Sequence, residues 1–260
     1  MPKKRIVLLT REGAEHCYVA NTLAAAIPLH SIIVDRSAPR ANIRRALRIG
    51  KLHFLMKAAR SMFLMAIGDA RSRKRTLKAF FAGKGDAIAA LDKIIPVEGI
   101  NSLASQDRLR AMKPDVILVY GTSLVKQPVL DFARDLCINM HTGISPEYRG
   151  TACAFWPIVN GEFDMVGATV HECTSKVDGG MIYEIVRSKV ERGDNLHKVF
   201  ARAAAAGAEA YVRVVQRYLG GSLEGAPQDL SKGREYLGSD LTLQSELKAR
   251  FRLALHARGF

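Results

Sequence analysis

The sequence predicts an α/β fold with a mostly parallel, twisted sheet flanked by helices, and three observations support this. Its 260 residues, 48% of them hydrophobic, are enough for one sizeable α/β core. Apolar runs typical of buried strands alternate with segments of helical composition. Residues 5–10, 16–26 and 29–35 give the order strand, helix, strand, which is typical of a parallel, Rossmann-like sheet.

The first unit is a strand from Arg5 to Thr10, a turn, and an alanine-rich helix from His16 to Ala26. The turn, Arg11-Glu12-Gly13, has a single glycine and no G-x-G-x-x-G pattern, so the dinucleotide-binding fingerprint is missing. Leu29 to Asp35 is the second predicted strand.

A basic helical insertion at residues 41–85 interrupts the alternation. Residues 36–85 hold 14 Lys or Arg and one acid, so this stretch accounts for +13 of the net charge of +14. Apolar residues between the charges predict two or three amphipathic helices, broken near Gly50 and Gly68. We interpret them as packed on the sheet with Lys and Arg stems along its rim. A peripheral membrane contact and a diphosphate clamp at residues 71–78 stay open.

Further strands are predicted from Lys93 to Val97 and from Val116 to Tyr120, with a helix from Ser102 to Met112 between them. The turn Gly121-Thr122-Ser123-Leu124 then leads into a short helix from Pro128 to Arg134.

Polar side chains are concentrated where two later strands end. The run from Leu136 to Met140 has a period of two that puts Asn139 and His141 on one face. A strand from Val166 to His171 leads into a loop that holds Asp178 before two glycines. Strand ends and loops are where α/β proteins place their chemistry, so an amide, an imidazole and a carboxylate are expected at one site.

These three groups suit acyl transfer to an amine. The amide of Asn139 can donate to a developing oxyanion, and His141 can donate to the same oxygen or move a proton near neutral pH. Asp178 can orient the imidazole and accept a proton through water. Spacing alone leaves the alternative of a strand-capping Asn, a structural His and an ordinary turn Asp open.

The remaining elements extend the fold. A helix from Ala152 to Val159 contains Trp156, which is expected in the core. Met181 to Val190 is predicted as an edge or hairpin strand, and Asp194 is expected to cap a helix from Leu196 to Leu219.

A Gly-Gly pair is expected to end the catalytic domain at residues 1–221. Residues 222–260 form a short C-terminal tail that ends in an amphipathic helix from Thr242 to Arg258. No membrane-spanning run or signal peptide is predicted, so a cytoplasmic protein is expected. The cysteines are far apart, which disfavours metal clusters and disulfides: Cys17, Cys137, Cys153 and Cys173.

Several motifs, in the same order along the chain, resemble the signature of the folate-dependent formyltransferases. They are Asn139-Met140-His141, Ser145-Pro146, Arg149-Gly150, Asn160-Gly161, Gly167-Ala168-Thr169-Val170-His171 and Val177-Asp178-Gly179-Gly180. That family includes glycinamide ribonucleotide, methionyl-tRNA and amino-sugar formyltransferases. The resemblance spans residues 113–221, with a weaker one at the N-terminus. It implies that Asn139, His141 and Asp178 are catalytic, that N10-formyltetrahydrofolate is the co-substrate, and that no metal is needed.

The resemblance also implies binding residues. Gly121, Thr122 and Leu124 would line the folate pocket, although without the family an ordinary strand-to-helix turn is the preferred explanation. The predicted substrate contacts are Tyr148, Arg149 and His171. A lone histidine such as His171 is otherwise a structural residue.

The resemblance identifies the acceptor less sharply. Residues 10–13 depart from the Gly-Ser-rich phosphate turn of the glycinamide ribonucleotide enzymes, and the tail is shorter than the C-terminal barrel of the methionyl-tRNA enzymes. The insertion and tail resemble enzymes that formylate nucleotide-linked amino sugars for surface polysaccharide (O-antigen), some of them homodimers.

Three alternatives stay open beside this one. The first is an N-formyltransferase for another small amine, such as N-hydroxyornithine in siderophore synthesis. The second is a formyltetrahydrofolate hydrolase. The third is a basic nucleic-acid or membrane binding module on a dead transferase fold. For an enzyme with a small-molecule amine acceptor, no nucleic-acid partner is expected.

Overall fold

The computed structural model of the protein describes residues 4–37 and 51–258. The part of the insertion at residues 41–50, with the predicted break near Gly50, lies outside the described residues. None of the helices in the described part combines the length and apolar character needed to cross a bilayer.

The strands are β1 (Ile6–Thr10), β2 (Leu29–Asp35), β3 (Ile94–Val97), β4 (Val116–Val119), β5 (Leu136–His141), β6 (Tyr148–Gly150), β7 (Gly167–Glu172), β8 (Ile182–Arg187) and β9 (Arg234–Tyr236). The described α-helices are α1 (Ala14–Ala26), α2 (Lys51–Ala66), α3 (Asp69–Phe80), α4 (Leu103–Met112), α5 (Gln127–Leu130), α6 (Trp156–Asn160), α7 (Leu196–Leu219) and α8 (Leu243–Arg258). Two short 3-10 turns lie at Leu91–Lys93 and Phe163–Met165.

Seven strands form one sheet in the order β3-β2-β1-β4-β5-β7-β8. The strands from β3 to β5 are parallel, and β7 and β8 join antiparallel to β5 and to each other. The predicted fold class, a mostly parallel sheet flanked by helices, is therefore confirmed. Since β1 is central and covered on both faces, its run from Ile6 to Leu9 is apolar without alternation.

The core forms two layers, one on each face of the sheet. Leu8 faces the layer with α1 and α7, whereas its neighbour Val7 faces the layer with α4 and α5. The alanine-rich middle of α7 packs closely on the sheet, as its composition indicates. A Cβ at Gly207 would lie 2.8 Å from the Cβ of Ala168 and 2.9 Å from the sulfur of Met140.

The insertion, where it is described, packs mainly on helices. Helix α3 packs on α1 and α7, and Leu77 joins a small core with Ala201 and Ala204. Helix α2 packs on α8, where Arg60 pairs with the buried Glu246 at 3.0 Å. Our interpretation that these helices pack directly on the sheet is wrong, because α1 and α7 already cover that face.

The C-terminal segment, defined as residues 222–258, folds back onto the domain. Strand β9 pairs in parallel with β6, and Tyr236 stacks on Trp156 at 4.5 Å and on Tyr148 at 5.7 Å between ring centroids. Trp156 is buried, as expected. The predicted division into a catalytic domain at residues 1–221 and an extension at residues 222–260 stays a prediction. A shared apolar cluster joins the two parts.

Several predicted boundaries differ from the structure. The predicted cap of α7, Asp194, is wrong: the side chain of Asn195 accepts the N–H of Lys198 at 2.9 Å. Asp194 instead receives the N–H of Glu191 and pairs with Arg202 at 3.0 Å. The helices predicted at residues 128–134 and 152–159 are the shorter α5 and the later α6, and the strand predicted at 181–190 is the shorter β8.

Candidate active site

The predicted catalytic residues lie on two paired strands and the loop that follows. Asn139 and His141 are on β5, and the antiparallel register of β7 sets His171 opposite Asn139 and Thr169 opposite His141. Asp178 follows in the loop between β7 and β8 with a φ of 48°, a left-handed conformation that Asp tolerates better than most residues. Cross-strand pairing therefore brings together residues 32 positions apart in the sequence.

The carboxylate of Asp178 is shared by two imidazoles. Its Oδ2 lies 3.4 Å from Nδ1 of His141, and its Oδ1 lies 3.3 Å from Nε2 of His171. The backbone N–H of Gly150 donates to Oδ2 at 2.8 Å. All three side chains are nearly enclosed, with side-chain exposures of 10%, 3% and 11% for His141, His171 and Asp178.

Backbone carbonyls fix the tautomers of both histidines. Nε2 of His141 donates to the carbonyl of Tyr148 at 3.1 Å, and Nδ1 of His171 donates to the carbonyl of Glu172 at 2.8 Å. When the ring is neutral, the other nitrogen of each ring carries no proton and presents a lone pair. Nδ2 of Asn139 donates to that lone pair on His171 at 3.2 Å. The corresponding nitrogen of His141 faces Asp178 and is open to a proton.

The charge states follow from burial and from this geometry. Burial lowers the pKa of His141, and the opposing attraction of Asp178 does not outweigh it. Burial raises the pKa of Asp178, but the attraction of the two histidines and the hydrogen bond from the backbone N–H of Gly150 outweigh burial and hold the pKa below its usual range. Near neutral pH the site is therefore an ionised carboxylate beside a neutral imidazole.

A tight loop after β5 packs against the ring of His141. A Cβ at Gly143 would lie 2.4 Å from the Cβ of Cys153 and 2.5 Å from Nε2 of His141, so only glycine fits without a shift. The hydroxyl of Thr169 donates to the carbonyl of Gly143 at 2.8 Å and accepts the N–H of Ser145 at 3.0 Å. Thr169 thus links the loop to the sheet.

These side chains border a cavity of about 570 Å³. Asn139, His141 and Asp178 line it together, as predicted for a catalytic set. The predicted cofactor residues lie on another wall of the same cavity: Gly121, Thr122 and Leu124. Leu124 is 67% exposed at the end of its turn, an unusual position for an apolar side chain unless a ligand covers it.

Of the three predicted substrate contacts, one lies at the cavity and two do not. His171 lines the cavity, but Tyr148 and Arg149 are not among its lining residues. The hydroxyl of Tyr148 donates to Glu162, and Arg149 donates to the carbonyls of Pro146 and Leu230, each at 3.2 Å. Both side chains therefore hold the loop and the C-terminal segment in place, and this placement does not support a direct contact with substrate.

Sequence reasoning missed several cavity residues from distant elements. Glu15 and His16 come from the start of α1, Arg73 comes from α3, and Tyr236 from β9. Arg73 pairs with the buried Glu15 at 2.6 Å and stacks over the ring of Phe200. Glu15 and His16 follow the carboxyl end of the central strand, where α/β folds place ligands, so that position was a usable signal. Arg73 and Tyr236 had no such signal.

The C-terminal segment also positions the loop that holds Asp178. Nε2 of Gln228 donates to the backbone carbonyl of Asp178 at 2.9 Å. With regard to metal sites, the described residues contain no group of three or more His, Cys, Asp or Glu side chains arranged to hold a metal ion.

Comparison with known proteins gives a consistent family and a divided set of relatives. Residues 88–215 match the family model for formyl transferase. The methionyl-tRNA formyltransferase of Bacillus licheniformis is 32% identical over 148 residues, which is 55% of this chain and 46% of that protein. That of Thermobifida fusca is 31% identical over 169 residues, 64% of this chain and 53% of that protein. The chain thus spans about half the length of these curated relatives.

Solved structures resemble almost the whole chain. A 4-N formyltransferase from Francisella tularensis matches 96% of this chain and 87% of its own, at a TM-score of 0.59 and 14% identity. A sugar N-formyltransferase from Shewanella sp FDAARGOS_354 has the same coverages, a TM-score of 0.60 and 13% identity. Glycinamide ribonucleotide transformylase 1 from Symbiobacterium toebii matches 88% of this chain and 96% of its own, at a TM-score of 0.56 and 18% identity. At these identities the likeness is one of fold.

Proposed function

We propose that this chain, in which residues 88–215 match the family model for formyl transferase, transfers a formyl group from N10-formyltetrahydrofolate to the amine of a nucleotide-linked amino sugar used in surface polysaccharide. The single observation that carries the transferase part is the convergence of Asn139, His141 and Asp178 on one cavity. An amide donor, a neutral imidazole and an ionised carboxylate are the groups that formyl transfer to an amine needs.

The folate co-substrate supplies the formyl carbon, which gains a bond to the acceptor nitrogen and loses its bond to N10 while one proton passes between the two nitrogens. Asn139 has two N–H groups, and only one is used by His171, so the other is available to an oxyanion. Both nitrogens of His141 are already placed, one on a carbonyl and one toward Asp178. We therefore assign the oxyanion to Asn139 and proton transfer to the His141–Asp178 pair.

The proton relay depends on the charge of Asp178. An imidazolium formed at His141 would lie 3.4 Å from the carboxylate, which stabilises it in an enclosed site. Nε2 of His171 accepts an N–H of the Asn139 amide and lies 3.3 Å from the other carboxylate oxygen, so His171 acts as a positioning residue. No step requires a Ser or Cys nucleophile, and the thiol of the nearby Cys153 has its pKa raised by burial.

The wall formed by residues 121–124 suits a flat heterocyclic ring. Gly121 has a φ of 65°, and a Cβ there would lie 2.2 Å from the ring of His16, so the backbone packs directly against that ring at the cavity wall. The Thr122 hydroxyl is used by the carbonyl of Ser123 at 2.9 Å, which leaves backbone groups and the exposed Leu124 facing a ligand.

The acceptor is supported by shape and charge. The resemblance to a sugar N-formyltransferase covers 96% of the chain, whereas the methionyl-tRNA relatives match at most 64% of it. Arg73 and Lys176 lie on the cavity wall, where they suit the diphosphate of a nucleotide sugar. Glu15 neutralises part of that charge and is available to acceptor hydroxyls.

The test is acceptor screening by mass spectrometry with N10-formyltetrahydrofolate. We expect the product of a nucleotide amino sugar to gain the mass of one formyl group in exchange for hydrogen, and Asp178→Asn to abolish the gain. The identity of 30–32% to methionyl-tRNA enzymes favours one second candidate, methionyl-tRNA itself, which is included as an acceptor. Formylation of that RNA but of no sugar nucleotide would refute the sugar proposal and leave the transferase intact.

A further inference from the structure

Helix α2 presents an apolar stripe to solvent. Phe54, Leu55, Met62 and Met65 are exposed by 42%, 62%, 69% and 77%. Their spacing, with Ala58 between them, places all five on one face of the helix. Soluble proteins rarely expose contiguous large apolar side chains unless the patch binds something.

Helix α3 presents a cationic stripe next in the chain. Arg71, Lys74, Arg75 and Lys78 occupy positions i, i+3, i+4 and i+7 of one face, and all four are exposed. None of them forms an ion pair with another residue of the described ranges. The only acid in α3, Asp69, lies outside the stripe and is used by His197 and Arg250.

The inner sides of the two helices are already occupied. Arg60 of α2 pairs with Glu246, and Leu77 of α3 is buried against α7. The two stripes stay exposed, in a hairpin joined at Ile67 and Gly68, and Lys74 and Lys78 also border a cavity beside α1. We propose that this hairpin, residues 54–78, docks the protein on an anionic lipid bilayer, with the α2 stripe entering the acyl boundary and the α3 stripe binding lipid headgroups.

Charge decides between a membrane and a second copy of the chain. Two copies joined through this face would bring two four-cation stripes together, and like charges oppose that contact. An anionic bilayer supplies both an apolar phase and the opposite charge, which is the environment of interfacial helices with Lys or Arg on one side and Phe or Leu on the other. The proposal is independent of the acceptor, because none of the nine stripe residues lines the catalytic cavity.

The experiment measures binding of the full chain to vesicles. We expect binding to phosphatidylcholine vesicles with phosphatidylglycerol, weak binding to phosphatidylcholine alone, and a steep loss with salt. Each cation near an anionic surface strengthens binding about fivefold, so Arg71→Glu with Arg75→Glu weakens it by at least about 25-fold. Met62→Glu with Met65→Glu weakens it by at least about tenfold through lost insertion.

A matched control and a reporter make the test specific. Leu103 is 78% exposed on α4, which covers the opposite face of the sheet, so Leu103→Glu should bind as the wild type does. The chain has a single Trp, which is buried, so Met62→Trp adds an exposed fluorophore whose emission shifts to shorter wavelength on anionic vesicles. Equal binding to both vesicle types would overturn the proposal, and so would no binding to either. Concentration-dependent self-association that the Met62/Met65 changes remove, found in place of lipid binding, would also overturn it.

Discussion

Replacing Asp178 with asparagine separates the charge of the site from its geometry. Asparagine has nearly the same shape, and its oxygen can still accept the N–H of Gly150, now 2.8 Å from the carboxylate. Its Nδ2 then takes the place of Oδ1 and can donate to Nε2 of His171, which lies 3.3 Å from that oxygen. We therefore expect Asp178→Asn to fold with little change in the free energy of unfolding near neutral pH.

The expected loss is in turnover. A positive charge on His141 at 3.4 Å from the carboxylate is stabilised by about 5 kcal/mol at an effective dielectric constant of about 20. Losing most of that stabilisation slows the chemical step by about 10²- to 10⁴-fold, the usual range for general acid–base groups. The assay is single-turnover formyl transfer with the acceptor found by screening, read by mass spectrometry.

The control is another buried carboxylate outside the cavity. Asp194 pairs with Arg202 and Lys198, so Asp194→Asn should lower the melting temperature and keep the single-turnover rate. If Asp178→Asn retains the rate within about threefold, the assigned proton relay is wrong. If instead it melts far below the wild type, the carboxylate is structural and the loss of rate does not report on chemistry.

Three further outcomes are expected. Asn139→Ala should lower kcat by about 10²- to 10³-fold with little change in KM, measured by steady-state kinetics, because the oxyanion donor acts mainly in the transition state; an effect confined to KM would contradict this. Gly143→Ala should lower the melting temperature, since its Cβ would lie 2.4 Å from Cys153, whereas Gly238→Ala, with nothing within 4 Å, should not. Because burial lowers the pKa of His141 in the folded protein, the unfolded chain takes up this proton first as pH falls below about 6.5. The free energy of unfolding, measured with urea, should therefore fall toward pH 5 by up to about 1.4 kcal/mol per pH unit. His141→Gln should reduce that loss, and an equal loss in the variant would contradict the cause given.

Local patterns in the sequence predicted most of the sheet. Continuous apolar runs identified β1, β2 and β4, because parallel strands covered on both faces need no polar alternation. Adjacent polar residues misled at the start of α7, where Asp194 and Asn195 are both competent caps. The buried ion pair with Arg202 decides between them, and that contact is not visible in local sequence.

The residues of the candidate site were likewise predictable only in part. Asn139 and His141 could be predicted as a pair because they are two residues apart on one strand, and the family motifs identified Asp178. The contribution of Arg73 could not, because it depends on how the insertion packs beside α1. Tyr148 and Arg149 stay a prediction as substrate contacts that their placement does not support, since their partners in the C-terminal segment and at Glu162 are set by tertiary structure.

The parallel pairing of β9 with β6 makes the far end of the chain a wall of the catalytic cavity. Tyr236 stacks on Trp156 there, and Gln228 holds the backbone of Asp178. Docking of this segment and occupancy of the cavity are therefore linked equilibria, so a ligand that binds the docked form more tightly must also raise the docked fraction of the segment. Protection of the chain beyond residue 221 from limited proteolysis would then report on ligand occupancy without any turnover.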